Sequence, residues 1–597
     1  MSASNLHSAW ARLFIHALAA SGVSDVVVSP GSRSTPLAMA AAAQRSLRFH
    51  SAVDERSAAF FALGQTRVTG RPTALVCTSG TAGAHYLPAI LEASQSYLPL
   101  IVITADRPWE LMDVAAPQTL DQLKLFGDAV RHFAELGLPD PSPLALRAVS
   151  RIAAQAVAIA RGPVPGPVHV NARFRKPLEP VATSAPESWE SLVEELIHAP
   201  PTRAFTPNVE PSEEAMDEIA ALVSVSARGW LVCGPTLMDP TGQLGQAVAA
   251  FAKRSGFVVL AEATSQVRFG PWTSTMPLCA SFEVLLRNKA FCTSHLPDVI
   301  VEIGAPPTSG AYAELLSAFP SIPRYVLARY GWNDPAGTAK GLVFGDPGQA
   351  LEGIVARLSG SIARVDEAWS SAFVSADSEA QRLTKKLSAE LPLTEGAIAA
   401  TVVEVCPDRS ILMIGNSMPV RDVDTWADSR RATLDVLHQR GVSGIDGLVS
   451  GAAGALVAAE RPVTLLLGDI SLLHDVGGLA LARRANWPLV LVVVQNAGGR
   501  IFEHLPVVRS VDRSDFDKCF TMSEPLDLEH VCAAFGLRFA RVTTNDELRA
   551  NLNAAYVFPG ATLVEAVVPP GDGALRLGRL RVELAASLER LGVRGSS

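Results

Sequence analysis

Through all three thirds of this chain, short apolar runs ending in Gly, Ser, Asp or Arg alternate with longer Ala-rich amphipathic stretches. A short apolar run closed by a polar residue reads as a buried strand, and each longer stretch reads as a crossover helix. The alternation therefore predicts an α/β protein with parallel sheets flanked by helices. Candidate strands in the first third are DVVVS (25–29), TALVCTS (73–79) and LIVITAD (100–106). GWLVCG (229–234), FVVLAEA (257–263), VIVEIGA (299–305) and RYVLARY (324–330) predict a middle α/β domain. ILMIG (411–415), TLDVLHQ (433–439), VTLLLGD (463–469) and PLVLVVVQN (488–496) carry the pattern through the last third.

At 597 residues the chain exceeds the roughly 250–300 residues at which a single core stops growing, so about three domains are expected. Seven prolines at 177, 180, 186, 200, 201, 207 and 211 each remove a backbone donor and restrict the preceding residue. They set a first domain at 1–180 and a Pro-rich linker at 181–211, interrupted by a short helix near ESWESLVEELI. A central α/β domain is expected at 212–360, and a polar helical linker at 361–394 contains Pro392. The last domain is expected at 395–597.

A formal net charge of -8 gives no overall attraction to nucleic acid or to an anionic membrane, so an anionic ligand must be held by local arginines. The seven cysteines are scattered and form no CxxC motif, which points to small buried side chains in a reducing compartment. The N-terminal MSASNLHSAWARLFIHALAA lacks the charged and apolar regions of a secretion signal. The apolar run at 488–494 is far short of the ~20 residues that span a bilayer. A cytoplasmic protein without stable membrane insertion is expected.

In open parallel sheets, ligands bind beyond the carboxyl ends of strands. Ser32, Arg33, Asp54, Glu55, Ser79, Arg107, Ser417, Arg421, Arg440, Asp469 and Asn496 all fall at such ends. Two domains thus each offer a polar edge, and a ligand between the two edges is the expectation. A Gly-Asp ends one strand, a crossover helix is expected near 473–485, and Asn496 ends the next strand 27 residues after Asp469. Oxygen ligands of this kind suit Mg2+, which shares its shell with phosphates, and backbone donors from Ser471 to Leu473 would add to phosphate binding. Such a pair is also common in α/β proteins, so it does not identify a diphosphate site alone. Glu55, in HSAVDERSAAFFALG, reads either as an acid favoured at a helix N-terminus or as a desolvated carboxyl able to hand a proton to an aminopyrimidine.

SPGSRSTPLA (29–38), DERSAAFFALG (54–64), TSGTAGAHYLPAILEAS (78–94), TADRP (104–108) and PQTLDQ (117–122) occur in order along the first third. GNSMPVRD (415–422), RGVSGIDGLVSGAAG (440–454), GDISLLHD (468–475) and GGRIFEHLP (498–506) follow in the last third. Together these motifs resemble the menaquinone-pathway 2-succinyl-5-enolpyruvyl-6-hydroxy-3-cyclohexene-1-carboxylate synthase family (MenD), which depends on thiamine diphosphate. The resemblance covers 1–180 and 395–510, and reaches the middle domain only in general layout.

The resemblance implies a pyrimidine-binding first domain, a Rossmann-like centre and a diphosphate-binding last domain. It implies thiamine diphosphate and Mg2+ as cofactors, with Mn2+ able to substitute, and decarboxylation of 2-oxoglutarate followed by addition of the succinyl carbanion to isochorismate. Glu55 is then the proton donor to the cofactor. Ser32, Arg33, Arg107, Gln118, Ser417, Arg421 and Arg440 match substrate-binding positions, where arginine forks suit carboxylates, and Ile501 and Phe502 match apolar residues on the substrate side. Ile445 matches the residue that props the bent cofactor. Asp469, Asn496 and the Gly498 carbonyl match metal ligands, and Ser471 a cofactor contact. A homodimer or homotetramer with sites at the chain interface is implied. Three departures are visible: Gly310 and Ala311 stand where the family often carries lysine or Lys-Arg, His85 replaces a common asparagine, and Gln495 replaces the first asparagine of a pair. Arg329 is a candidate replacement cation. The competing readings are another thiamine-diphosphate-dependent 2-oxoacid decarboxylase or carboligase, and a silent cofactor-binding homologue.

Overall fold

The structure, a computed structural model, describes residues 5–181, 187–358, 365–430, 432–524 and 526–591. Pro186 and the linker start at 361–364 lie outside the described residues. Among the described residues three six-stranded sheets are formed, and every pairing in them is parallel. The expected strands all occur, starting and stopping within a residue or two of the apolar runs that announce them.

Across the first sheet the strands run Arg48–Ser51, Asp25–Val28, Thr73–Cys77, Leu100–Asp106, Val168–Arg173, His132–Gly137. The third sheet runs Leu434–His438, Ser410–Ile414, Val463–Gly468, Leu489–Gln495, Ala561–Val567, Arg538–Val542. Numbered from its own first strand, each has the order 2-1-3-4-6-5, so the two sheets share one topology. In both, the winding reverses between strands 1 and 3, which leaves a crevice at their carboxyl ends. The middle sheet runs Gly341–Phe344, Arg324–Ala328, Val299–Ile303, Gly229–Cys233, Val258–Ala261, Leu278–Cys279. That is the Rossmann order read from its other edge. Its strands are apolar on both faces: Leu231 and Cys233 enter one core, Trp230 and Val232 the other.

Two compact units result. The first comprises Met1–Asn208, Gln439–Glu460 and His474–Arg484, and the second Val209–His438, Arg461–Leu473 and Ala485–Ser597. Within the first unit, the helix after the second strand of the first sheet, Glu55–Thr69, packs on the helix after the second strand of the third, Leu448–Ala459. Close approach is possible because both carry glycines at the contact. A Cβ on Gly454 would lie 1.9 Å from the Phe61 carbonyl oxygen, and one on Gly447 1.8 Å from the Phe60 ring. The Pro143–Arg161 helix is long and apolar enough to cross a membrane, yet Leu146, Val149, Ala153 and Val157 bury one side of it in the first core.

The expected crossover helix at 473–485 is corrected by the structure. It starts at Asp469, stops at His474, and resumes as a 3-10 turn at Val476–Gly478 and a short helix at Leu479–Ala482. Gly477 and Gly478 weaken a helix there, and the Asp475 carboxylate instead accepts the Ser450 N–H (2.8 Å) and hydroxyl (3.1 Å). The short helix near ESWESLVEELI is Glu190–His198.

Candidate active site

In the first unit, strand 1 of the first sheet ends at Val28, and a 3-10 turn at Ser32–Ser34 follows. It buries Arg33, whose Nη1 donates to the Phe174 carbonyl (2.7 Å), and leaves Ser32 exposed. After strand 3, the Ser79 hydroxyl accepts a hydrogen bond from Arg107, which follows strand 4. Arg107 Nη1 also donates to the Gln118 carbonyl (2.6 Å), and the Gln118 amide returns to the Ser79 carbonyl (3.1 Å). Gln118 takes φ 59° to close this ring, a conformation non-glycine residues adopt rarely.

Burial, and after it the charge of Arg107, holds the Arg33 guanidinium below its ordinary value, with Asp106 opposing. Among the described residues neither arginine makes an ion pair. The carboxylates nearby are instead engaged by Arg173, which is fully buried, pairs with Asp106 (2.9 Å), holds the Arg107 carbonyl (2.6 Å) and stacks 3.8 Å from the centre of the Trp109 ring. Sequence reasoning missed Arg173, because VHVNAR does not read as a strand and so placed nothing at its end.

Glu55 is the first residue of its helix and is half-buried. Asp54 caps that helix, accepting from Arg56 N (3.0 Å) and the Ser57 hydroxyl (2.9 Å). Arg56 reaches the His474 carbonyl (2.9 Å). Burial raises the fully buried Cys77 thiol and Tyr86 phenol, and the Glu55 charge adds to both. Phe60 and Phe61, the aromatic pair of DERSAAFFALG, lie elsewhere: the Phe60 ring against Gly447, and Phe61 beside His50 with its carbonyl against Gly454. Arg440 and Ile445 belong to the same unit and are partly buried in the segment leading into that helix.

In the second unit, Ser417 stands after strand 1 of the third sheet at φ 70° and ψ −125°, and its carbonyl accepts from Arg421 Nη1 (2.5 Å). Asp469 follows strand 3, at the edge of the reversal, and Asn496 follows strand 4 beside it. Asp469 Oδ2 accepts the Gly498 N–H (2.9 Å) and Oδ1 that of Ile470 (2.7 Å). Burial lifts its carboxyl above the ordinary range, and those amides oppose the lift. Ala497 at φ 61° and Gly498 at φ 116° form a tight turn, which Arg500 fastens through the carbonyls of Asn496 and Ala497 (both 2.9 Å). A Cβ on Gly498 would fall 2.2 Å from the Thr521 carbonyl oxygen, so only glycine fits.

The donor set is one a hard cation takes, a carboxylate, an amide oxygen and a backbone carbonyl, and the Gly498 N–H on the turn after Asn496 ties that turn to Asp469. The Asn496 Nδ2 donates to buried Glu395 (3.2 Å), which leaves its oxygen as the end free to coordinate. Glu395 was also missed by sequence reasoning, since it opens a helix roughly a hundred residues upstream. Ser471 is buried in the Asp469–His474 helix. Ile501 and Phe502 are half-buried in the next turn, where Phe502 packs on Phe520 at 5.3 Å.

Of the departures, His85 is exposed and Gln495 accepts the Ala497 N–H (3.2 Å). The space beside Gly310 is taken by Arg287, whose Nη2 would lie 2.5 Å from a Cβ there. Arg329, the suggested replacement, is paired with Asp346.

Two sheets of one topology carry polar residues at matching strand ends, the place where open parallel sheets bind ligands. The family model for the thiamine pyrophosphate enzyme N-terminal TPP binding domain matches residues 9–125, and that for the C-terminal TPP binding domain matches 426–566. The chain is a thiamine-pyrophosphate-dependent enzyme. A 2-succinyl-5-enolpyruvyl-6-hydroxy-3-cyclohexene-1-carboxylate synthase of Sorangium cellulosum (strain So ce56) is 54% identical over 99% of this chain and 98% of its own length. That of Myxococcus xanthus (strain DK1622) is 38% identical over 98% of each. Benzoylformate decarboxylase from Polynucleobacter necessarius has the same fold, with TM-score 0.68 at 17% identity over 94% of this chain and 98% of that one. The chain belongs to the 2-succinyl-5-enolpyruvyl-6-hydroxy-3-cyclohexene-1-carboxylate synthase family.

Proposed function

We propose that the chain decarboxylates 2-oxoglutarate and joins the remaining succinyl unit to isochorismate, releasing CO2, with thiamine diphosphate and Mg2+ bound. The observation that carries this reading is the pair Arg33 and Arg107, the second close enough for its charge to weigh against that of the first, with no ion-pair partner for either among the described residues. Such a pair suits a dicarboxylate substrate. Arg421 and Arg440 are proposed to take further carboxylates, with Ser32, Gln118 and Ser417 as hydrogen-bonding companions and Ile501 and Phe502 as apolar walls.

Asp469, Asn496 and the Gly498 carbonyl would hold Mg2+ against the diphosphate, with Ser471 nearby and Ile445 supporting the bent cofactor. When bound, the cofactor supplies a thiazolium that accepts the electrons released on decarboxylation. Glu55 would hold and return the proton at the pyrimidine ring nitrogen. We read residues 1–180 as the pyrimidine-binding domain, 212–360 as the central domain and 395–597 as the diphosphate-binding domain. The proposed assembly is a homodimer or homotetramer whose sites lie at the chain interface. A reducing, cytoplasmic setting agrees with seven free cysteines, of which only Cys519 is exposed.

The test is to mix protein, Mg2+, thiamine diphosphate, 2-oxoglutarate and isochorismate and to weigh the product. The coupled succinyl-cyclohexene carboxylate supports the reading; succinic semialdehyde alone would point to a decarboxylase with a different acceptor.

A further inference from the structure

Immediately after Arg440, the backbone is gripped by a single buried side chain from the N-terminal domain. Glu92 lies on the Leu87–Gln95 helix and is 2% exposed. Its Oε1 accepts the Gly441 N–H (3.0 Å) and its Oε2 the Val442 N–H (2.7 Å). The carboxylate also takes the Ser96 hydroxyl (2.8 Å) and the guanidinium of Arg67, whose side chain is 5% exposed. Gly441 is enclosed: a Cβ there would lie 2.6 Å from the Ser96 hydroxyl and 2.9 Å from the Glu92 carbonyl. On its other side the segment is closed by the Gln439 amide, which donates to the Asp446 carbonyl (2.9 Å), and Ser443 turns the chain at φ 60°.

A buried ion pair is a weak means of stabilising a fold, since desolvating both charges cancels most of their attraction. A carboxylate offering one oxygen to each of two successive amides has a different property. It fixes the orientation of both peptide planes, and so the direction in which the preceding side chain leaves the backbone. Arg440 is that preceding residue. A guanidinium fork binds a carboxylate well only at the correct angle. We propose that Glu92, held by Arg67, is a positioning residue that aims Arg440 at its substrate carboxylate. The inference rests on the reading of Arg440 as a substrate-binding residue.

Glu92→Gln retains the shape but presents an NH2 group to one of the amides. It should raise the apparent KM for the substrate that Arg440 contacts at least tenfold, with kcat and thiamine diphosphate affinity within about threefold of wild type, the scale of a lost charged hydrogen bond. Arg440→Ala is measured beside it, with the double variant. If Glu92 acts through Arg440, the double variant has the KM of Arg440→Ala alone. A Glu92→Gln protein with wild-type KM, or additive effects in the double variant, overturns the inference while leaving the role of Arg440 intact. An Arg440→Ala protein with both KM values unchanged removes that role, and the inference with it. Should Glu92→Gln not fold, Glu92→Asp keeps the charge for Arg67 while withdrawing the oxygens from the amides, and is judged by the same outcomes.

Discussion

Gly64 and Gly451 touch backbone to backbone: a Cβ on Gly64 would lie 2.0 Å from the Gly451 carbonyl oxygen. No side chain can be admitted there without parting the two helices. Gly64→Ala should therefore destabilise the protein by about 1–3 kcal/mol, the usual scale of overpacking, despite the better helix propensity of alanine. Gly578→Ala, in a helix with nothing within 4 Å of the new methyl, is the control and should leave thermal unfolding unchanged or slightly raised. Equal midpoints for the two variants would refute the contact.

Asp475 is fully buried, and burial pushes its carboxyl from 3.8 up to about 6, against the pull of its hydrogen bonds from Ser450. A folded value above the unfolded one means that folding favours the protonated form. The stabilisation is complete below pH about 4 and is lost as pH rises through about 6, a change of up to about 3 kcal/mol at 1.36 kcal/mol per unit. Asp475→Asn mimics the protonated acid. Its stability relative to wild type should grow from near zero at pH 4 to its full value at pH 7, measured by urea unfolding. A difference that stays flat across that range would contradict the assignment.

Glu55→Gln keeps the size of the side chain but cannot exchange the proton. Turnover should fall by at least the ~10^2 expected for a general acid or base, with cofactor binding retained by calorimetry. Half the wild-type turnover would remove Glu55 from the chemistry.

Asp469→Ala removes the single carboxylate among the proposed metal ligands. It should abolish the rise in unfolding temperature that Mg2+ and thiamine diphosphate together give the wild-type protein, because a ligand stabilises only the state that binds it. An unchanged thermal shift would refute the assignment of the metal.

In the proposed assembly each site takes Glu55 from one chain and Asp469 from its partner. Glu55→Gln and Asp469→Ala, each inactive, should then recover about one quarter of wild-type activity when dissociated and reassociated together, because half the dimers are mixed and each mixed dimer has one intact site of two. If each site forms within one chain, mixing restores nothing, and heterodimers confirmed by mass with no activity would reject the shared site.

The eleven strands named from the sequence were legible because a parallel sheet buried on both faces demands unbroken apolar runs, and LIVITAD or PLVLVVVQ can hardly be anything else. HFAELG, VHVNAR and RFARV were not, since polar residues interrupt each one where it carries a buried network or an exposed edge. Arg33, Arg107, Asp469 and Asn496 could be placed at strand ends, and the topology brings each to a reversal of winding or beside it. The supporting shell was invisible. Glu92, Arg173 and Glu395 act across separations of tens to hundreds of residues, and no local pattern distinguishes them from surface charges. Nor did the sequence disclose that Arg287 stands beside Gly310, because the space vacated by one residue is filled from a different helix.

The packing of the Glu55–Thr69 helix on Leu448–Ala459 also bears on how such a chain can change. Because Gly64 faces Gly451, and Phe60 and Phe61 face Gly447 and Gly454, the volume available at each position is set by a residue nearly four hundred places away. Substitutions on one helix are permissible only with matching ones on the other. A chimera that exchanges residues 1–180 for those of a distant relative would inherit half of this contact, and should assemble only when the 447–454 segment is exchanged with it.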